Sequence, residues 1–173
     1  MKQIKWFDRK FDFASDQNIF PGILERLEGT AVLLNHKLAS IPQEHLIAKP
    51  DNTWSIQENV GHLLDLEPLW HGRLEDILLQ KEFLRSADLE NTKTDVAEHN
   101  EKNLATIIEE FTKHRTKTLA RLKNLNETEV FRYALHPRLI KPMRTMDLFL
   151  FVAEHDDHHL ARISELQRKL ANR

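Results

Sequence analysis

Apolar positions along the chain recur at three- and four-residue steps, the period of a helix with one buried face. The spacing predicts four long helices. In the first, from about Asn18 to Ser40, Ile23, Leu27, Leu34 and Leu38 share one face. A loop with Pro42 and Pro50 follows. The second opens at Ser55, where Ser-Ile-Gln-Glu is a capping box, and carries Ile56, Val60, Leu63, Leu64, Trp70, Leu74, Ile77 and Leu78 inward. Pro68 falls inside that period, which resumes beyond it, so a kink is expected there rather than an end. The third is expected from about Asp95 to Lys123, with Leu104, Ile108, Phe111, Leu119 and Leu122 inward. Asn124 to Arg144, with Pro137 and Pro142, reads as irregular, apart from a helical turn near Glu127 to Tyr133. The fourth runs from Thr145, taken as its N-cap, to about Ala171. No segment reads as a strand ladder. The fold class is therefore all-α, a four-helix bundle, within one domain spanning 1–173. The link between the third and fourth helices is long enough for a crossover.

Composition narrows the partners. Hydrophobic residues make up 40% and charged residues 30% of the 173, the balance of a soluble globular chain. A net charge of −2 and the lack of a Lys/Arg run give no footing for nucleic acid. The longest apolar run near the end, LFLFVA, is too short for a bilayer, and MKQIKWFDRKFDF is too charged for a signal peptide. Cysteine is absent, which excludes disulfides and thiolate ligands and fits a cytoplasmic location. A metal would have to be held by histidine, carboxylate or water, and there are ten histidines.

Helical phase separates these histidines. The fourth helix has the inward stripe Leu148, Val152, His155, His159, Ile163, Leu166, Leu170. His155 and His159 thus lie on the seam one turn apart, where two imidazoles can converge on one ion. His158 stands about a quarter turn away, with Asp156 and Asp157 further out. On the second helix His62 sits at the edge of the apolar arc near Leu66 and Leu69, and His71 lies nearer solvent. Spacing alone leaves two readings: metal ligands, or core histidines satisfied by hydrogen bonds. His36, His45, His99 and His114 read as surface residues and His136 as a loop residue beside the basic group Arg138, Lys141 and Arg144. Asp65 and Glu58 are candidates to orient His62.

TWSIQENVGHLLDLE in the second helix and FVAEHDDHHLARI in the fourth together resemble the DinB/YfiT-like superfamily. The carriers are the interval from Trp54 to His62 and the H-x-x-H-H pattern from His155 to His159. The resemblance implies a four-helix bundle with a divalent metal on His62, His155 and His159, and His158 as a neighbouring non-ligand. It implies zinc or nickel, with iron or cobalt compatible, a small-molecule substrate and a homodimer. Relatives include thiol S-transferases and metal-dependent hydrolases, so hydrolysis and transfer to a low-molecular-weight thiol both stand. Beside them stands a non-catalytic, metal-binding or structural dimeric bundle. Many relatives carry Arg-Gly-Gln after the paired histidines, where this chain has Leu160, Ala161 and Arg162.

Overall fold

The computed structural model describes residues 4–11, 13, 16–50 and 52–172. The chain forms α1 (Phe20–Leu38), α2 (Gln43–Leu46), α3 (Ile56–Leu78), α4 (Thr92–Val96), α5 (Leu104–Leu122), α6 (Glu127–Phe131), a hairpin of β1 (Tyr133–Leu135) and β2 (Pro142–Arg144), and α7 (Thr145–Ala171). Each of the four long helices packs mainly on two others: α1 and α3 each lie against both α5 and α7. Consecutive long helices α1 and α3 therefore sit across a diagonal, as do α5 and α7. Both links crossing these diagonals are long, and only the α3–α5 link joins neighbours.

The periodic positions account for the core. Leu27, Leu34, Ile56, Val60, Leu74, Ile77, Phe111, Leu148, Ile163 and Leu166 are all within 0% exposure. Burying a side chain of this kind contributes about 1.5–3 kcal/mol. The Ser55 box is complete: its hydroxyl accepts from Glu58 N at 3.0 Å, and Glu58 accepts from Ser55 N at 2.8 Å. The α3 helix runs through Pro68 without ending.

Several expectations are corrected. The third helix does not begin at Asp95 but at Leu104, capped by Asn103. Asn91 and Glu98 take left-handed φ of 57° and 51°, breaking the preceding stretch into α4 and a 3₁₀ turn at His99–Glu101. Gln57 of α3 donates to the carbonyls of His99 and Lys102, drawing that turn onto the bundle. His99 is consequently buried, not on the surface: its ring packs where a Cβ on Gly61 would collide with it. Thr145 is the first residue of α7 rather than its cap, because its hydroxyl donates to Glu129 O at 2.9 Å. Asp147 instead accepts from Arg144 N. Finally, Asn124 to Arg144 contains the short antiparallel pair β1–β2 in the register Tyr133↔Arg144 and Leu135↔Pro142, although the segment showed no strand pattern.

At mid-bundle, Asp156 points inward, against the expectation that it faces out. Arg115 of α5 bridges Asp156 of α7 at 2.6 Å and Glu67 of α3 at 2.7 Å, and Thr30 of α1 also donates to Asp156. Burial opposes the Arg115 charge, but Asp156 and Glu67 outweigh it and raise its pKa. An aspartate whose oxygens meet a guanidinium and a hydroxyl is satisfied inside, where an unpaired one would not be.

Candidate metal centre

The diagonal arrangement packs α3 directly against α7. There His62, His155 and His159 each offer a nitrogen, and the three nitrogens lie within 4.8 Å of one another. All three residues are buried. Burial lowers the His62 pKa to about 4 against the opposing pull of Asp65, and pushes those of His155 and His159 well below the ordinary range, the charge of His62 adding to both and that of His155 to His159. The cluster is thus a set of neutral imidazoles at neutral pH, the protonation state that donates lone pairs.

Hydrogen bonding fixes two tautomers. Thr94 Oγ1 donates to Asp65 Oδ2 at 2.9 Å, so it can only accept from His62 Nδ1 at 3.0 Å. Asn59 spends its amide hydrogens on the carbonyls of Ser55 and Trp54, so its Oδ1 accepts from His159 Nδ1 at 2.8 Å. Both Nε2 lone pairs stay unprotonated and make no hydrogen bond to a described residue. His155 Nδ1 is buried with no hydrogen-bond partner among the described residues. These donors suit a borderline divalent ion with three nitrogen ligands.

Asp65 acts on His62 through Thr94 and also accepts from His99 Nε2 at 2.8 Å, which lowers its own pKa against the burial that would raise it. Glu58 does not orient His62; it is spent on the Ser55 cap and on Lys49. His158 lies beside the cluster, half-buried, its ring 5.3 Å from that of His159. Of the orienting groups, Thr94 had no signal in the sequence. Asn59 did have one, as it precedes His62 by three residues on the same helix.

The cluster forms the floor of a cleft of about 1410 Å³. Trp6 stands edge-on to His155 at 4.9 Å, and Trp54 lies 4.7 Å from His62. Leu66, Leu69, Trp70 and Phe151 make an apolar wall, and six Lys and Arg side chains against two carboxylates line the whole. His136, Arg138 and Lys141 belong to this lining, whereas Arg144 is tied to Asp147 and Phe13 O. No described helix is long and apolar enough to cross a membrane.

A diagonal-linked four-helix bundle with three inward histidines on its second and last long helices defines the class. The chain belongs to the DinB superfamily, whose family model matches residues 26–163. Its fold is similar to that of YfiT from Bacillus subtilis, described as a probable metal-dependent hydrolase with an unusual four-helix bundle topology. The TM-score is 0.81 over 94% of each chain, at 20% identity. No curated protein matches the sequence.

Proposed function

We propose that His62, His155 and His159 bind a divalent metal ion, zinc or nickel before iron or cobalt, and that the chain is a metal-dependent enzyme for a small molecule held in the cleft. The carrying observation is the convergence of three neutral imidazoles, two of them with Nδ1–H already committed to Thr94 and Asn59. Three protein ligands leave coordination positions open, as chemistry requires and a purely structural site does not. The ion would supply Lewis-acid polarisation of an oxygen or sulfur ligand. Around it, Thr94 and Asn59 hold the rings in orientation. Trp6 and Trp54 keep bulk water from the histidines, and neutral His158 is placed to take or return a proton at a ring nitrogen.

Hydrolysis is the reading supported by the description of YfiT. Transfer to a small anionic thiol is favoured by a separate observation, a roomy cleft with an excess of cationic side chains. Elemental analysis of purified wild type beside a His155→Ala/His159→Ala double variant tests the site. Near-stoichiometric metal is expected in the first and little in the second; equal content in both would overturn it. Turnover of an electrophile panel with and without added low-molecular-weight thiol then separates transfer from hydrolysis. The resemblance to dimeric relatives supports a homodimer, which light scattering checks, and the lack of cysteine fits the cytoplasm.

A further inference from the structure

Beyond His62, one face of α3 continues along the cleft. His62, Leu66, Leu69, Trp70 and Arg73 all line it. Eleven residues are about three helical turns, so Arg73 returns to the azimuth of His62 with its Cα about 16 Å further along at 1.5 Å per residue. The wall between them is apolar, with Trp70 and Phe151 meeting edge-on at 6.0 Å.

Arg73 is 3% exposed. Its Nε donates to Arg85 O at 3.0 Å, and its guanidinium carbon lies 5.7 Å from the Trp70 ring centroid. It has no ion pair with any described carboxylate. Asp76, one turn on, is already taken up by Arg85 and Lys81. Arginine does not shed its proton to escape burial. A buried guanidinium with its terminal nitrogens uncommitted is stable only when an anion or water completes it.

The hairpin brings a second donor to the cleft. His136 Nδ1 accepts from the backbone N–H groups of Arg138 and Leu139, both at 3.3 Å. Burial first, and then the charges of Arg73 and Arg138, lower the pKa of His136 to about 4. The neutral ring therefore carries its proton on Nε2, which makes no hydrogen bond to a described residue.

We infer that Arg73, with His136 on the same cleft lining, binds the anionic group of an amphiphilic substrate whose apolar body lies along Leu66, Leu69, Trp70 and Phe151 and whose other end reaches the three histidines. The class is an alkyl or aryl chain bearing a carboxylate, sulfonate or phosphate. The planar fork of arginine pairs with such groups through two parallel hydrogen bonds. This inference rests on reading the cleft as the substrate site, but its anion end is separable from the metal.

All three tryptophans of the chain line the cleft, so intrinsic fluorescence reports its filling. Octanoate and its uncharged isostere octanamide are titrated into wild type, Arg73→Gln and the His155→Ala/His159→Ala variant, with and without Zn²⁺. Wild type is expected to prefer octanoate by about tenfold or more, the size of one charge-assisted pair. Arg73→Gln should lose that preference while binding octanamide as before. The histidine variant should keep it, metal or no metal. Equal binding of the two probes by wild type, a preference surviving Arg73→Gln, or one lost with the histidines would each overturn the inference. Absence of metal from wild type would sink the metal reading alone. Should Arg73→Gln lose its fold by circular dichroism, a crystal structure of wild type with octanoate decides: the carboxylate on Arg73 supports the site, and the carboxylate anywhere else overturns it.

Discussion

Asn59 and Thr94 offer no nitrogen to the cluster, yet they set which nitrogen His159 and His62 present. Without the acceptor at Asn59, His159 is free to rotate or to carry its proton on Nε2, and a lone pair is lost to the ion. Asn59→Leu is therefore expected to weaken zinc affinity by about 10–100-fold, the usual cost of removing such a partner. Competition against a chromophoric chelator measures it; unchanged affinity would show that the hydrogen bond at His159 Nδ1 is idle. The three clustered histidines themselves were legible one by one, since His155 and His159 keep the seam of the fourth helix and His62 the arc of the second. His99 was not legible. Nothing local distinguishes a surface histidine in a polar stretch from one that packs on a glycine, and Gly61 is far from it in sequence.

Between elements, the Arg115 knot joins α3, α5 and α7 across the bundle, and Thr30 adds α1. Arg115→Met would leave Glu67 and Asp156 buried without their cation. Burial already raises the pKa of Glu67. Removing one partner of such a network costs about 3–5 kcal/mol. Urea melts should show that loss for the single variant. An Arg115→Met/Glu67→Gln/Asp156→Asn variant should recover much of it; a triple variant no more stable than the single one would show that packing, not charge, holds the knot. The start of α3 followed from its capping box, and the extents of α1 and α7 followed from period, because those signals are local. The start of α5 did not, since Gln57 and two left-handed residues broke a stretch whose own pattern runs on.

Over the whole molecule, several histidines are held neutral by burial, and this links stability to acid. The pKa of His62 and that of His136 fall to about 4, and those of His155 and His159 fall well below their ordinary value of 6.5. Because these folded values lie below the unfolded one, the unfolded chain takes up protons first as the pH drops. Stability is therefore full above about pH 6.5 and declines toward pH 4, by up to about 1.4 kcal/mol per pH unit for each of His62, His155 and His159 and by less for the half-exposed His136, whose charge solvent screens. The melting temperature of chelator-treated protein should fall across that window; a flat profile would contradict the burial of the cluster. Sequence by itself determined the helical class, the core stripes, the capping of α3 and the inward phase of three histidines. Each of these is a periodic or short-range property of one helix. The tertiary structure alone decided that α1 and α3 lie across a diagonal, that Asp156 turns in to meet Arg115, that Thr94 meets His62, and that Asn59 and Arg73 share one cleft with the histidines. Those facts depend on which helices pack together, and helical period carries each helix's buried face but not the identity of its neighbour.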